Sequence, residues 1–312
     1  MHYQHSHTTI LKKALPLHYN HISNAFTLWR LSSSTWLFLL LILTANLLSG
    51  FIVPKANALD TDNTMQAKAS SEIEIKREYL EHIISQQERL VTSLVESPFM
   101  SSYVADYNEP DRESLSELFL TTATINKHYM QVRFIDNHGQ EKIRIEQSTK
   151  GLAPAIIKES ALQNKSKREY FIEMKTTLAG ELWHSPFDLN REQGKIEQLV
   201  NPTYRVSSPV YLDDKFAGMV IINLDMTSVI SYLTESTDFL VYLVDADNEV
   251  LVHPDATKSW SKYLKGRNKY QETAEQKLKN QTQSLEDIFK NREGIRIILE
   301  PIEATSPLPK AK

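Results

Sequence analysis

The sequence predicts an α/β (α+β) protein with an N-terminal transmembrane helix, a long stalk helix and two antiparallel-sheet modules in series, the second one abbreviated. Three observations predict this organisation: one apolar stretch long enough to cross a bilayer, one long run of heptad-spaced apolar residues, and a strand–turn–strand pattern that begins again in the last third of the chain. The chain has 312 residues and no cysteine, which excludes disulfide scaffolds, thiol enzymes and Cys-ligated zinc modules.

The membrane anchor is predicted at Trp36–Val53, an uncharged stretch of 18 residues. This is about the shortest apolar length that spans a bilayer as a helix. Residues 1–58 contain four of the 35 Lys and Arg residues and none of the 39 Asp and Glu residues. The positive-inside rule therefore places residues 1–35 in the cytoplasm and everything after Val53 outside. The cysteine-free exterior fits a bacterial envelope, in which the chain would be a single-pass protein of the inner (plasma) membrane with its bulk in the periplasm. The acidic remainder is a poor surface for nucleic acid.

An alternative for the same segment is a cleaved signal peptide. Ala56-Asn57-Ala58 has the small-x-small form of a signal-peptidase site, and cleavage there would release a soluble periplasmic ligand-binding protein beginning at Leu59. The long basic n-region, the length of the apolar core and Lys55 just before the site favour an uncleaved anchor. We therefore expect the anchor to be retained.

The stalk is predicted as one helix from Asp60 to about Glu96, ended by Ser97-Pro98 because proline disfavours helical geometry in the residue before it. A helix of ~35 residues covers ~50 Å, more than a compact domain needs. We expect its apolar seam to pair with a second copy, giving a homodimer through the stalk. The seam consists of Ile73, Leu80, Ile84, Val91 and Leu94.

The first module, predicted within residues 60–236, combines helices with two strand pairs. Its predicted helices are Arg112–Asn126 and Thr227–Thr234, the second a short connection. The predicted strands are Tyr129–Ile135, Lys142–Glu146, Tyr204–Tyr211 and Gly218–Leu224, with turns at His138-Gly139 and at 212–215.

The second module, predicted within residues 237–312, begins with the same pattern. Strands at Phe239–Asp245 and Glu249–His253 flank a turn at Asp247-Asn248. A helix-prone stretch, Tyr270–Phe289, and one strand, Gly294–Leu299, complete it. The repeated supersecondary unit predicts two similar modules in series.

Catalysis is not predicted from this sequence. It contains no nucleophile elbow, phosphate-binding glycine loop or HExxH helix, and only eight glycines. Five of the ten histidines lie in the N-terminal tail without a carboxylate or a second cluster, so no metal site is expected there. We expect no enzyme activity, no catalytic residue and no cofactor.

A polar and aromatic block, Leu162–Asn223, is the candidate binding site. Arginine offers a planar donor fork for a carboxylate, Asp and Asn offer acceptors, and aromatic walls exclude water. In the alternative interpretation, the charged side chains only pair with one another and brace loops. The candidate ligand-binding residues are Arg168, Tyr170, Phe171, Trp183, Ser185, Asp188, Asn190, Arg205 and Asn223, and Glu197 belongs to the same block.

Motifs in this block resemble the membrane-distal module of double-Cache sensors, the PAS-like extracytoplasmic regions of bacterial histidine kinases, diguanylate cyclases and chemoreceptors. The resemblance covers about residues 60–255. The segments that carry it are Leu162–Phe171 (LQNKSKREYF), Gly180-Glu181, Ser185–Asn190 (SPFDLN), Gly194–Glu197 (GKIE), Arg205 before Ser208–Val210, and Gly218–Asn223. Arg144–Glu146 and Val252–Asp255 also resemble that group.

The resemblance implies a stalk helix, a ligand-binding distal module and a proximal module next to the membrane. Arg168, Tyr170 and Phe171 match the positions with which amino-acid-binding Cache modules hold a carboxylate. Two positions depart from that pattern, because Gln163 replaces a tyrosine and Asn223 replaces the acid that binds an α-ammonium group. Another small carboxylate or polar metabolite is therefore at least as good a candidate as an amino acid.

Such sensors continue into a second transmembrane helix and a cytoplasmic output domain, for which this sequence has no counterpart. Three expectations follow. The chain is a stand-alone sensor that signals by contact with a separate partner protein, a truncated receptor such as a histidine kinase or diguanylate cyclase, or one coding fragment of an interrupted gene.

Overall fold

The computed structural model describes residues 33–147, 153–192, 195–196, 200–291 and 293–302, with side chains from residue 62 onward except at positions 192 and 195. The chain forms two compact units, residues 1–60 and 61–312, and the second contains both sheets. Over the residues with described side chains, no helix is both long and apolar enough to cross a membrane. The side chains of Trp36–Val53 lie outside that set, so the anchor stays a prediction.

The N-terminal part is helical, as predicted. Helix α1 spans Ser33–Val95 and ends within one residue of the predicted boundary. Proline does not leave the next segment unstructured: Pro98 occupies the first turn of helix α2 (Pro98–Asp106), where its missing N–H costs nothing. Helix α3 (Glu109–Ile125) begins before the predicted Arg112 because the Asn108 side chain caps it.

A large antiparallel sheet of seven strands follows. Its strands are β1 (Tyr129–Asp136), β2 (Glu141–Glu146), β3 (Ala155–Ile156), β4 (Trp183–His184), β5 (Asp188–Leu189), β8 (Pro202–Leu212) and β9 (Lys215–Asp225); β6 (Arg191–Glu192) and β7 (Lys195–Ile196) form a separate hairpin. The order in the sheet is β3-β2-β1-β9-β8-β4, with β5 also paired to β8. The four long strands were predicted and are confirmed with slightly longer ends. The two-residue strands are too short to produce an alternating pattern. Helices α4 (Glu169–Met174) and α5 (Thr227–Thr234) complete this part, the latter as predicted.

A small sheet of four strands and two short helices come next. The elements are β10 (Phe239–Val244), β11 (Val250–Val252), α6 (Ala274–Lys279), β12 (Gln281–Ser284), α7 (Glu286–Phe289) and β13 (Arg296–Pro301). The strand order is β11-β10-β13-β12. The prediction of one helix-prone stretch around Tyr270–Phe289 is wrong, because strand β12 divides it. This strand is almost entirely exposed and polar, so it lacks the apolar alternation that would have indicated it.

The same turn joins the first two strands of each sheet. Asp136 Oδ1 accepts hydrogen bonds from the backbone N–H groups two and four residues later, and Asp245 Oδ1 does the same. The third residue after each aspartate, Gly139 or Asn248, adopts a left-handed conformation. The two sheets therefore begin with equivalent hairpins, in agreement with the repeat in the sequence.

Helix α1 packs on both sheets. Towards its C-terminal end, the Gln87 amide donates a 3.0 Å hydrogen bond to the Ile222 carbonyl of β9 in the large sheet. Closer to its N-terminus, Arg77 forms an ion pair with Asp287, beside the small sheet, at 2.5 Å. The small sheet therefore lies nearer the N-terminal part of the helix than the large sheet does.

The apolar seam of α1 is buried within this single chain. Each of its five residues, from Ile73 to Leu94, is at most 3% exposed and belongs to the main hydrophobic core. The prediction that this seam pairs with a second copy is wrong, because the chain's own modules cover it. A homodimer through the stalk stays a prediction, and it would require the opposite side of the helix, where Ile75 is 53% exposed.

Aromatic packing and one buried acid connect the two sheets. Phe187, between β4 and β5, stacks on Phe289 of α7 at a 5.6 Å centroid distance, and Glu293 Oε2 accepts a 2.8 Å hydrogen bond from the Phe187 N–H. Burial raises the pKa of Glu293 to about 7; the nearby carboxylates Asp245 and Asp188 add to this rise, while the Phe187 N–H and Lys262 oppose it.

We expect Gly139→Ala to destabilise the contact between the β1–β2 turn and the segment before α4. A Cβ atom at Gly139 would lie 2.5 Å from the backbone N and Cα of Ser166. Gly180 is the matched control, because it has the same φ of +81° but a Cβ atom there would meet nothing within 4 Å. Gly180→Ala should cost about 1–2 kcal/mol of unfolding free energy from backbone strain alone, and Gly139→Ala distinctly more. Equal losses in urea unfolding would refute the steric argument.

We expect Glu293→Gln to stabilise the fold at pH 8 and to have little effect at pH 5. The pKa of Glu293 in the folded state lies above the ordinary glutamate value of 4.5, so stability is lost as pH rises from about 4.5 through about 7. Glutamine removes that loss and retains an acceptor for Phe187. The expected gain at pH 8 is about 1–3 kcal/mol in denaturant unfolding. Replacement of the exposed Glu96 by glutamine is the control, and a pH-independent effect of Glu293→Gln would contradict the account.

Candidate functional site

A cavity of about 200 Å³ opens on one face of the large sheet and is called the sheet cavity below. Strands β1, β2, β8 and β9 form its floor, while the segment before α4 and the residues after β5 form its walls. Its lining consists of Gln131, Arg133, Arg144, Gln163, Asn164, Lys165, Arg168, Tyr170, Asn190, Arg191, Arg205 and Asn223.

Strand alternation places these polar side chains on one face. On β1, Arg133 faces the cavity, whereas its neighbours Val132 and Phe134 enter the main hydrophobic core on the other face. On β2, Ile143 and Ile145 likewise flank Arg144. A smaller apolar cluster covers the rest of the cavity face, and its buried members are Ile135, Tyr170, Phe171, Met174, Met219 and Ile221.

Glu141 organises the cations at the base of the cavity. Its side chain is fully buried and lies 3.4 Å from Arg133 Nη1, 3.9 Å from Arg144 Nη1 and 3.9 Å from Lys165 Nζ. Its second oxygen also accepts a 3.0 Å hydrogen bond from the Gln163 N–H. One carboxylate therefore holds two strands and the loop before α4 together.

The cavity is strongly cationic. Six of its twelve lining residues are Arg or Lys, and none is acidic. Among the described residues, the acids that form ion pairs with these cations are Glu141, Glu146 and Asp188. The Nε atoms of Arg133 and Arg144 are buried and have no hydrogen-bond partner in the described part of the chain. Buried positive charge is costly without a counterion, so the cavity is suited to an anion.

Arg168 lies at the junction of two cavities. It occupies the N-cap position of α4, and its guanidinium lies 5.8 Å from the centroid of the Tyr170 ring. The neighbouring cavity, of about 420 Å³, also reaches Lys262 and Tyr263 of the second module. Burial raises the pKa of Tyr263, and the nearby Asp188 and Glu293 raise it further, so its hydroxyl stays protonated at neutral pH.

Eight of the nine residues predicted to bind ligand line one of these two cavities, whereas Phe171 is 1% exposed and packs in the smaller apolar cluster. Glu197 lies outside the described residues. The residues at the sheet cavity are Arg168, Tyr170, Asn190, Arg205 and Asn223, and those found only at the neighbouring cavity are Trp183, Ser185 and Asp188.

Several predicted residues also brace the surrounding loops. Arg205 Nη1 lies 2.7 Å from Asp188 Oδ1, so this acid is already paired. Trp183 Nε1 donates a 2.6 Å hydrogen bond to Glu173, and Asn223 Oδ1 accepts a 2.8 Å hydrogen bond from Arg133. Asp188 therefore braces the loops, as the alternative interpretation expects, whereas the other predicted residues that line the cavities are placed to contact a ligand.

The first hairpin contributes cavity residues that were not among the nine predicted ligand-binding residues. Gln131, Arg133 and Arg144 line the cavity, as do Gln163 to Lys165 and Arg191. The sequence around Arg133 and Arg144 could have indicated them. An arginine between apolar residues of a strand that is buried on both faces needs a buried partner or a ligand. Over the described residues, no group of three or more His, Asp or Glu side chains is placed to hold a metal ion.

Comparisons with known proteins agree with the resemblance in the sequence. A family model described as "Bacterial histidine kinase, sensor domain" matches residues 65–290. Three solved structures have a similar fold at low identity, which supports the fold alone. The first is a domain of a sensory box/GGDEF family protein from Vibrio parahaemolyticus, with a TM-score of 0.66 and 19% identity, and the match covers 78% of this chain and 97% of that one. The second is the extracellular domain of the histidine kinase vpHK1S-Z8, with a TM-score of 0.66 and 20% identity, covering 78% of this chain and 92% of that one. The third is the sensory domain of the Campylobacter jejuni chemoreceptor Tlp3 with isoleucine bound, with a TM-score of 0.52 and 12% identity, covering 78% of this chain and 94% of that one.

No curated protein matches the sequence significantly. The family model nevertheless covers well over half of the chain, and the solved structures are sensor domains of the Cache type. The resemblance to that group is therefore confirmed, and the chain belongs to the family of bacterial histidine kinase sensor domains.

Proposed function

We propose that this chain is a membrane-anchored periplasmic sensor that binds a small carboxylate in the sheet cavity and catalyses no reaction. The observation that carries the proposal is the excess of positive charge around the cavity. Six cationic residues line it, and three described acids pair with them. A carboxylate matches the planar donor fork of arginine and would supply the missing negative charge.

The cavity favours a ligand without an α-ammonium group. Asn223 stands where an amino-acid-binding module would have an acid, and its carbonyl oxygen is bonded to Arg133. Asp188 is paired with Arg205. Asn223 has no carboxylate and that of Asp188 is already paired, so neither side chain is available to bind an ammonium group. We therefore infer that the ligand is a mono- or polycarboxylate. The neighbour Tlp3, by contrast, has been solved with isoleucine and with L-valine bound.

A direct structural route connects the cavity to α1. Asn223 of β9 lines the cavity, and the adjacent Ile222 carbonyl accepts the hydrogen bond from Gln87 of α1. Gln87 is completely buried, so its amide cannot exchange this acceptor for water. We propose that a ligand-dependent shift of β9 reaches the membrane along this helix, with the large sheet distal and the small sheet proximal to the membrane.

Removal of the guanidinium of Arg168 should weaken carboxylate binding without unfolding the domain. Arg168 forms no ion pair with a described residue, so Arg168→Ala should leave the melting temperature of the ligand-free protein nearly unchanged. A charge-assisted hydrogen bond contributes ~1.5–3 kcal/mol, which corresponds to a loss of affinity of roughly 10- to 150-fold. Thermal shift and calorimetry with mono-, di- and tricarboxylates, each beside its neutral amide, would measure this.

Two further variants make the test specific. Arg89→Ala removes an exposed guanidinium of α1 that lines neither cavity and should bind ligand like wild type. Asp188→Ala should lower the melting temperature of the ligand-free protein, because Arg205 would lose its paired carboxylate. Wild-type affinity in Arg168→Ala would remove Arg168 from the site, and equal binding of acids and amides would refute a carboxylate ligand.

The anchor prediction concerns the full-length protein. Since Lys12, Lys13 and Arg30 precede Trp36–Val53 without an opposing acid, we expect the protein to pellet with membranes and to resist carbonate extraction. Fractionation of expressing cells and N-terminal sequencing would measure this. A soluble periplasmic species beginning at Leu59 would contradict it and support a released binding protein.

A further inference from the structure

A second cavity, of about 740 Å³, lies on the small sheet and is called the small-sheet cavity below. It is separate from the sheet cavity: the two share no lining residue. Strands β10, β11 and β13 and the segment before α6 contribute to it. Its most informative lining residues are Tyr242, His253, Tyr270, Gln276 and Glu300.

The two cavities occupy equivalent positions in the two sheets. The turn aspartates Asp136 and Asp245 provide the alignment, since both make the same pair of hydrogen bonds. Arg133 and Tyr242 both lie three residues before that aspartate, and Arg144 and His253 both lie eight residues after it.

Strand pairing extends this equivalence to a third position. Gln131 and Leu240 both lie five residues before the turn aspartate. Across the sheet, Gln131 pairs with Asn223 and Leu240 pairs with Glu300. Where the sheet cavity has two arginines and an amide, the small-sheet cavity therefore has two aromatic rings and an acid. The matching pairs are Arg133 with Tyr242, Arg144 with His253, and Asn223 with Glu300.

The aromatic residues form a continuous wall. The Tyr242 ring lies 5.1 Å from the His253 ring and 5.1 Å from the Tyr270 ring, between centroids. His253 Nδ1 accepts a 2.8 Å hydrogen bond from the Asp255 N–H. Burial lowers the pKa of His253, assisted by Lys258, so the ring is neutral at pH 7 and adds no positive charge to the wall.

Glu300 is a carboxylate with neutral partners. Its Oε2 accepts a 2.9 Å hydrogen bond from the Tyr242 hydroxyl, and its Oε1 accepts a 3.0 Å bond from the Gln276 amide. Over the described residues it forms no ion pair. A carboxylate that faces a cavity beside aromatic rings attracts a cation by charge and by cation–π interaction.

Three cationic side chains also line this cavity, and each one is engaged by a neighbouring group. Lys269 Nζ lies 3.0 Å from Glu249, and Lys258 Nζ lies 3.9 Å from Asp255. The Arg267 guanidinium donates to the carbonyl oxygens of Ala256 and Ser259. Each of the two lysines is paired with a carboxylate outside the cavity lining, so neither creates a demand for an anion.

We propose that the small-sheet cavity is a second binding site, for a small organic ammonium compound held by Glu300 and the rings of Tyr242, His253 and Tyr270. One chain would thus bind ligands of opposite charge on its two sheets. This site goes beyond the proposed carboxylate sensor and does not depend on it.

The test uses propylammonium chloride as the probe, with sodium chloride at equal concentration as the reference, so that the anion and ionic strength are the same. In titrations followed by NMR on the full chain in detergent, propylammonium should produce saturable shifts at the small sheet. Glu300→Gln keeps an acceptor for the Tyr242 hydroxyl and should weaken binding at least about tenfold. Glu275→Gln, the matched control, removes an exposed carboxylate of the same module and should bind like wild type.

Tyr270→Leu provides a second variant, which removes a ring without changing the charge, and it should also weaken propylammonium binding. The proposal is overturned if wild type shows no saturable response to propylammonium, or if Glu300→Gln and Tyr270→Leu bind it as wild type does. Arg168→Ala should leave propylammonium binding unchanged. Failure at the small sheet is thereby distinguished from failure of the carboxylate site, which is measured with a different probe and variant.

Discussion

The buried carboxylate of Glu141 is the interaction on which the large-sheet half of the molecule depends. It lies on β2 and contacts cations from β1, β2 and the loop before α4, while its second oxygen accepts the Gln163 N–H. A buried ion pair of this kind stabilises little by itself, but breaking it would leave several cations buried without a partner. The same contacts bring the segment that carries Arg168 onto the sheet. Glu141 therefore determines both the shape and the charge of the cavity.

The two sheets use one scaffold for cavities of different chemistry. Their hairpins share a turn, and equivalent strand positions face each cavity. In the large sheet these positions are mostly cationic, with Glu141 below them; in the small sheet they are aromatic rings and Glu300. Because α1 contacts both sheets and leads towards the predicted anchor, an event at either cavity has a packed helix through which to act.

Residue periodicity was sufficient to predict the long elements but not the partners of their side chains. The long strands of both sheets were predicted to within a few residues. β12 was missed because its side chains are polar and exposed. The seam from Ile73 to Leu94 was predicted correctly as apolar and buried, yet sequence cannot distinguish cover by the same chain from cover by a second copy. Arg133 and Arg144 reach the site through pairing across the sheet, which local sequence does not show.

A crystal structure of residues 60–312 with the carboxylate that binds most tightly would test the central claim most directly. The account predicts that the ligand occupies the sheet cavity with its carboxylate oxygens about 3 Å from guanidinium nitrogens of Arg133, Arg144 or Arg168. A ligand bound only outside this cavity, or one that turns a neutral group towards these arginines, would contradict it.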